Sequence, residues 1–277
     1  MNILSLKNSN IAKPIASIFD FAFFADFYKT LDSLESLAMP EKWCPSSVPA
    51  ERTNKKNPIL ESYFHHTFKR LWSEYCKAET DDQRQKIIYF DGNIACFNTG
   101  LFTANYSPIY AYFRRAVKET DRRPFSFYSF EDASSNYLSS VSCLPRRANY
   151  FSDIRELIYD ANLELRANVN HILDENISRF PPDLSSNKAM LLILFTGAID
   201  IAKKRVQANY KVAVPTYYRD EICLMLPLCL RDSEKTDLAL AVVRKEGFYV
   251  AKTCLTLDMA YNDARLIAKP DNEWLTP

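Results

Sequence analysis

The chain has 277 residues, of which 47% are hydrophobic and 25% are charged, and only four are glycine. A Walker-type phosphate loop and a dinucleotide-binding fingerprint both need closely spaced glycines. No two glycines here lie closer than eight positions, so the sequence excludes both motifs. Thirty-five Lys and Arg residues balance 34 Asp and Glu residues, and the net charge of +1 does not by itself indicate a nucleic-acid-binding protein.

The seven cysteines form no CxxC pair, and no charged-then-apolar leader opens the sequence. We therefore expect reduced thiols and a cytoplasmic protein. The longest apolar run, 189–199, is too short for a bilayer and predicts a buried helix, so we expect no membrane partner. The three histidines lack zinc-site spacing and no GxSxG motif is present, and we predict neither a metal nor a cofactor.

The first 80 residues have a helical pattern, with helices predicted over 15–37 and 58–78. The second begins with a proline, which suits a first helical turn. From residue 87 the period of the apolar residues changes to two, which predicts strands over 87–90, 93–97, 108–113 and 125–130. Asp91 and Gly92 between the first two strands are typical of a tight hairpin.

The second half of the chain predicts two helices, 162–178 and 188–208, separated by the Pro181–Pro182 pair that no helix can cross. Strands follow over 212–214, 222–230, 238–243 and 248–255, and a final helix over 258–268. This order predicts an α+β fold in which N-terminal helices are followed by a mostly antiparallel sheet with packed helices. We expect a helical region over 1–80 and an α+β core over 81–277, together forming one compact unit.

Several separated motifs lie along nearly all of the chain after the first thirty residues. They include Phe97-Asn98-Thr99-Gly100-Leu101, Asn170-His171-Ile172 with Asn176, and Arg179-Phe180-Pro181. The clearest come last, namely Asn209-Tyr210-Lys211, Tyr217-Tyr218, Leu226-Pro227-Leu228, Thr256-Leu257-Asp258-Met259-Ala260-Tyr261-Asn262 and Ala264-Arg265-Leu266. Together these segments resemble the bacterial domain-of-unknown-function family numbered 3825. Family members look like partners of RNA-directed modules, often joined to small RNA-binding domains, so the resemblance implies a role near RNA.

The predicted helix 162–178 carries the first group of candidate site residues. His171, Glu175 and Arg179 follow one another at i, i+4 and i+8, which suits an acid–base relay beside a phosphate anchor, or else an exposed histidine beside a surface ion pair. Asn176 falls within the apolar stripe. A buried amide needs hydrogen-bond partners, so Asn176 is either a structural clamp or part of a polar pocket.

Other candidates combine cations with aromatic rings. Lys211 follows Asn209 and shares a predicted strand face with Tyr217. Tyr261 and Arg265 lie one turn apart on the final helix, on the face away from Met259 and Leu266. Arg114 shares a strand face with Tyr110 and Tyr112, as in single-strand nucleic-acid binding. Asn98 precedes the turn expected at Gly100. Each also has a structural explanation: a solvated lysine, an internal cation–π pair, packed tyrosines or turn chemistry.

We hypothesise an RNA- or nucleotide-phosphate-binding protein, acting in RNA metabolism or in defence or stress, whose cleft is built from side chains. The residues expected to converge there are Asn98, Arg114, His171, Asn176, Arg179, Asn209, Lys211, Tyr217, Tyr261 and Arg265. An alternative is a metal-independent phosphodiesterase, phosphoryl transferase or nucleotidyl transferase with His171 as general acid/base beside Glu175. A third hypothesis is a protein-interaction module that binds its partner through the N-terminal helices.

Overall fold

The computed structural model describes residues 15–45, 56–116, 123–218 and 220–275. The chain divides into two compact units, Met1–Asn149 and Tyr150–Pro277. Each unit holds one five-stranded, mostly antiparallel sheet with packed helices, and N-terminal helices precede the first sheet. The predicted α+β class is therefore confirmed. The helical region before residue 80 belongs to the same unit as the first sheet.

The first unit begins with helices and continues with an antiparallel meander. Its elements are α1 (Ile18–Phe21), β1 (Ala22–Phe23), α2 (Phe27–Leu37), α3 (Pro58–Lys77), α4 (Asp81–Gln85), β2 (Tyr89–Phe90), β3 (Ile94–Phe102), β4 (Pro108–Arg115) and β5 (Phe125–Asp132).

The first sheet has the order β1-β5-β4-β3-β2, and all pairs except the parallel β1–β5 pair are antiparallel. Helix α3 packs on one face, where Phe64 and Phe68 lie 5.8 and 5.6 Å from Phe97 between ring centroids. The opposite face carries Tyr110 and Tyr112, which pack in a separate apolar cluster. The two faces follow from the alternation of side chains along β3 and β4.

Two glycines of the first unit have positive φ. Gly92 (φ 103°) makes the predicted turn between β2 and β3, which confirms the hairpin. Gly100 (φ 78°) does not end a strand as expected, because β3 continues to Phe102 through a shift in register after Asn98. Gly100 therefore belongs to a bulge inside the strand, where a left-handed residue is needed.

The continuous helix predicted over 15–37 is wrong, because Ala22 and Phe23 leave the helix and pair with β5. Ser17 and Asp20 form a capping box at the start of α1. The Asp26 side chain accepts a hydrogen bond from Lys29 N and begins α2. Local capping thus starts two short helices where the apolar spacing alone predicts one long helix.

The second unit surrounds a second sheet with helices. Its elements are β6 (Glu164–Arg166), α5 (Val169–Asn176), α6 (Pro182–Ser185), α7 (Lys188–Ala208), β7 (Val214–Tyr218), β8 (Glu221–Leu228), β9 (Leu238–Lys245), β10 (Phe248–Leu255) and α8 (Leu257–Arg265).

The second sheet has the order β6-β10-β9-β8-β7, with only the β6–β10 pair parallel. One face forms the unit's core, in which Leu224, Leu226 and Val242 pack with Phe195 and Ile199 of α7. Helix α8 packs against strands β7, β9 and β10. Because strand residues alternate, the neighbours of these core residues point to the other face of the sheet.

The helix predicted over 188–208 is confirmed as α7, with Asn187 as its N-cap. The helix predicted over 162–178 is wrong in its first part. Residues 164–166 form β6, the Asn168 side chain caps α5, and a short 3-10 turn, Ile177–Arg179, ends the segment. The strand predicted over 212–214 begins instead at Val214, after the 3-10 turn Tyr210–Val212.

Within the described part of the chain, no helix combines the length and apolar character needed to cross a membrane.

Candidate functional site

A cleft of about 840 Å³ lies in the second unit on the sheet face opposite the leucine-rich core. Cys223, Ala241 and Val243 form part of its wall, and they alternate with the core residues Leu224 and Val242 along β8 and β9. Polar side chains reach it from several elements. They are Glu175, Asn176, Arg179, Thr216, Tyr218, Glu221, Lys252, Thr253, Asn262 and Asp263.

Helix α8 places two of these polar residues at the cleft. Thr256 caps the helix by accepting a hydrogen bond from Met259 N. Met259, Asn262 and Asp263 then lie on one side of the helix, as the helical repeat requires, and all three line the cleft. Asn262 and Asp263 thus place an amide and a carboxyl group on the same wall of the cleft.

Asp263 is a largely buried carboxyl group that has no charge partner among the described residues. Burial raises its pKa to about 6. Among the described residues it has neither an ion pair nor a hydrogen bond. Cys223 lies nearby: its pKa is raised to about 11, first by burial and then by the carboxylates of Glu221 and Asp263. Buried carboxyl groups with raised pKa values concentrate at functional sites.

Two further polar atoms at the cleft lack hydrogen-bond partners. Asn262 Oδ1 and Thr216 Oγ1 are both buried and unbonded within the described part of the chain. Thr216 lies directly across from Cys223 in the β7–β8 pair, which places it near Asp263. Buried polar groups are nearly always hydrogen-bonded in native proteins, so two such atoms beside an unpaired carboxyl mark a place for a ligand or water.

Asn176 and Arg179 join the cleft through one threonine. Thr253 Oγ1 donates to Asn176 Oδ1 at 2.8 Å and accepts from Arg179 Nη1 at 3.0 Å. Asn176 Nδ2 donates to Ile172 O, and Arg179 also donates to Cys254 O. Asn176 is therefore both the clamp and the pocket residue that the sequence left as alternatives.

The His171, Glu175, Arg179 series is only partly formed. His171 Nε2 and Glu175 Oε1 lie 3.4 Å apart, with more than half of each side chain exposed. Glu175 also lines the cleft, whereas Arg179 turns away from the series to Thr253. His171 does not belong to the cleft lining. The contact between His171 and Glu175 therefore matches the second interpretation of the sequence, an exposed histidine beside a surface ion pair.

Asn209 and Lys211 lie in a different depression of the second unit, of about 1130 Å³. Asn209 Oδ1 accepts a hydrogen bond from Lys211 N in the 3-10 turn that follows α7. The expectation that Lys211 opens a strand is wrong, because this capping interaction delays the strand to Val214. The depression has mixed charge. Its charged residues are Arg205, Lys211, Glu234, Lys235, Asp271 and Glu273.

Tyr217 lines neither depression. Its hydroxyl donates to Asp220 Oδ1 at 2.9 Å, and its ring contacts Tyr150 at 4.9 Å. It follows the cleft residue Thr216 on β7, so its side chain points to the opposite face of the sheet. Lys211 and Tyr217 do not share a strand face as expected, since Lys211 lies in the 3-10 turn before this strand.

Tyr261 and Arg265 are not presented to a ligand. They are 2% and 8% exposed and form the buried side of α8 with Ala260 and Ala264. The side of α8 that carries Met259 and Leu266 was expected to face the interior; Leu266 is buried, but Met259 is 39% exposed. The small side chains of Ala260 and Ala264 leave room for the long side chains of Tyr261 and Arg265. The positions of the apolar residues alone do not predict this arrangement.

Asn98 and Arg114 belong to the first unit. Asn98 is buried, donates to Pro145 O at 3.3 Å and accepts from Gly100 N at 2.8 Å, so it holds the β3 bulge. Arg114 points to the same face as Tyr112, as expected, and its guanidinium carbon lies 3.6 Å from the ring centre of Tyr128. This is an internal cation–π contact.

Sequence reasoning missed Thr216, Lys252, Asn262 and Asp263. Asn262 stands inside a matched family motif, and the other face of α8 carries both Asn262 and Asp263. Thr216 and Lys252 carry no local signal, because a threonine and a lysine on separate strands meet only when the sheet forms.

No curated protein and no solved structure matches the chain significantly. A family model does match, over residues 34–274, which is most of the chain. The protein therefore belongs to the family described as Domain of unknown function (DUF3825).

Proposed function

We propose that the second unit binds a nucleotide in the cleft between α8, the end of α5 and strands β7–β10. The observation that carries this proposal is the set of unpaired groups at the cleft, namely the Asp263 carboxyl, Asn262 Oδ1 and Thr216 Oγ1. A buried polar group without a partner costs about 1–3 kcal/mol. A ligand that hydrogen-bonds to Asn262 Oδ1 and Thr216 Oγ1 removes this cost, and N–H donors to the Asp263 carboxylate add further affinity.

The cations of the cleft favour an anionic ligand. Lys252 is exposed, and no ion pair or hydrogen bond engages its ammonium in the described ranges of the chain. Arg179 uses one of its terminal nitrogens for Thr253 and Cys254, which leaves further N–H donors of its guanidinium. Two such cations match a phosphate group, since charge-assisted hydrogen bonds to phosphate oxygens are strong.

The size and remaining surface of the cleft fit the same class of ligand. A volume of about 840 Å³ lies within the range of small-molecule sites. The exposed ring of Tyr218 offers a stacking surface for a base. In this proposal side chains hold the ligand, which accords with a chain of only four glycines.

Calorimetric titration of the full chain with ribonucleoside monophosphates and short single-stranded RNAs, over a salt series, tests the proposal. We expect saturable binding that weakens as salt increases. Lys252→Ala should weaken it, whereas the control Lys211→Ala/Lys235→Ala, in the mixed-charge depression, should not. If no nucleotide or RNA binds, or if Lys252→Ala binds as tightly as wild type, the proposal fails.

Turnover of the nucleotide is a second candidate function, favoured by the pKa of Asp263. A carboxyl group that titrates at about 6 is suited to general acid/base catalysis near neutral pH. Chromatography of the nucleotide after incubation with wild type and Asp263→Asn checks this candidate. Product that forms at equal rates with both proteins would remove Asp263 from any reaction.

A further inference from the structure

The cleft groups that lack a partner among the described residues differ in whether they accept or donate hydrogen bonds. The ionised Asp263 carboxyl and Asn262 Oδ1 can only accept hydrogen bonds, which makes three acceptor oxygens on adjacent residues of α8. The Thr216 hydroxyl can donate or accept. Ligands that fit must therefore present a cluster of N–H donors to α8.

We infer that the cleft selects guanine among the bases, with the Asp263 carboxylate accepting from adjacent N–H donors of the ring and the exocyclic amine. This inference rests on the proposed nucleotide binding and specifies its ligand. Guanine has one N1–H and two N2–H hydrogens on neighbouring atoms. These three hydrogens match two carboxylate oxygens and Asn262 Oδ1, and guanine O6 can accept from the Thr216 hydroxyl.

The other bases fit this arrangement less well. Adenine and cytosine present an amine beside an acceptor ring nitrogen, and uracil presents one N–H between two carbonyl oxygens. Each would place at least one acceptor against the acceptor oxygens of Asp263 and Asn262. A site built to accept a hydrogen bond discriminates strongly against analogues without the donor, because its buried groups then stay unpaired.

The surrounding charges leave Asp263 free for this role. Glu221 is paired with Lys245 at 2.8 Å, and the Cys223 thiol stays protonated because its pKa is raised to about 11. Arg179 is held by Thr253 and Cys254. Lys252 lies close enough to lower the pKa of Cys223, which places a cation near the site for the phosphate.

Titration of the full chain with a set of purine nucleotides tests the inference at neutral pH. Guanosine monophosphate should bind at least about tenfold more tightly than adenosine monophosphate, inosine monophosphate, which lacks N2, and 2-aminopurine riboside monophosphate, which lacks N1–H. Equal affinities for the guanine and adenine nucleotides would overturn guanine selection while the proposed nucleotide binding stands. Absence of binding by every nucleotide would defeat both.

The variant Asp263→Asn should change which base is preferred, and misfolding cannot produce such a change. The side-chain nitrogen of asparagine donates hydrogen bonds, whereas both oxygens of the Asp263 carboxylate accept them. This variant should therefore lose the guanine preference and gain affinity for xanthosine monophosphate, which has a carbonyl in place of the N2 amine. Asp200→Asn on the exposed side of α7 is the matched control and should keep the wild-type preference. Guanine preference retained by Asp263→Asn would show that Asp263 does not recognise the base.

Discussion

Thr253 Oγ1 donates a hydrogen bond to Asn176 Oδ1 at 2.8 Å and so fixes the end of α5 to strand β10. The same oxygen accepts from Arg179. One hydroxyl therefore positions Asn176 and Arg179, two of the cleft residues at this end of the helix. Its loss should affect folding stability and ligand binding together.

Thr253→Val should lower the free energy of unfolding by about 1–3 kcal/mol, because it leaves the buried Asn176 amide oxygen without its donor. It should also weaken nucleotide binding, since Arg179 loses one of its anchors. Urea unfolding and calorimetric titration measure the two effects. Thr196→Val is the control: Thr196 lies on the exposed side of α7 and donates to Leu192 O, so the change should cost little. Equal stability of the two variants would contradict this role for Thr253.

The second prediction concerns pH and Asp263. Burial raises the pKa of this carboxyl to about 6, so the folded protein binds its proton more tightly than the unfolded chain does. The stability that this proton contributes is present below the unfolded pKa near 4 and is lost as pH rises through about 6. At neutral pH, Asp263→Asn should therefore be more stable than wild type, by about 2–3 kcal/mol at most.

Urea unfolding of both proteins between acidic and neutral pH checks this prediction. The stability advantage of Asp263→Asn should appear as pH rises through about 6. A constant difference across the range would mean that Asp263 does not carry the shifted titration. Guanine binding should have the opposite trend and strengthen through the same range, because only the ionised carboxyl accepts two hydrogen bonds.

Gly100 provides a prediction for the first unit. It has φ 78°, and a Cβ placed on it would lie 2.5 Å from the Tyr63 hydroxyl, which donates to Thr99 O. Gly100→Ala should therefore destabilise the protein through both the backbone conformation and the clash. Gly92→Ala separates the backbone effect from the clash. Gly92 also has a positive φ, 103°, but no atom of the described residues lies within 4 Å of the added Cβ.

Thermal unfolding compares the two alanine variants. We expect a clearly lower melting temperature for Gly100→Ala than for Gly92→Ala, because only the first displaces Tyr63 from its hydrogen bond. Similar melting temperatures would show that the bulge absorbs the added methyl group without cost.

Local signals in the sequence predicted the parts of the fold that depend on neighbouring residues. Asn187 and the apolar run after it define α7, and Asp91-Gly92 defines the first hairpin. The apolar spacing of residues 162–168 predicts a helix, yet Leu165 is buried in a strand that pairs with β10. The parallel partner strand lies 84 positions away in the sequence, so the residues around Leu165 do not indicate the pairing.

The candidate site was predicted only in part for the same reason. Asn176 is predictable because a polar residue in an apolar helical stripe is visible locally, and Arg179 because it follows His171 and Glu175 at helical spacing. Asp263 was missed because Tyr261 and Arg265 were expected to face solvent, whereas they form the buried side of α8. Thr216 and Lys252 come together with Asp263 only through the pairing of separate strands.

The most direct test of nucleotide binding in this cleft is a crystal structure of the full chain grown with saturating guanosine monophosphate. We predict electron density for the base against Asp263 and Asn262, with the phosphate near Lys252 and Arg179. Density for the nucleotide in the depression around Lys211 or on the first unit, with this cleft empty, would contradict the account.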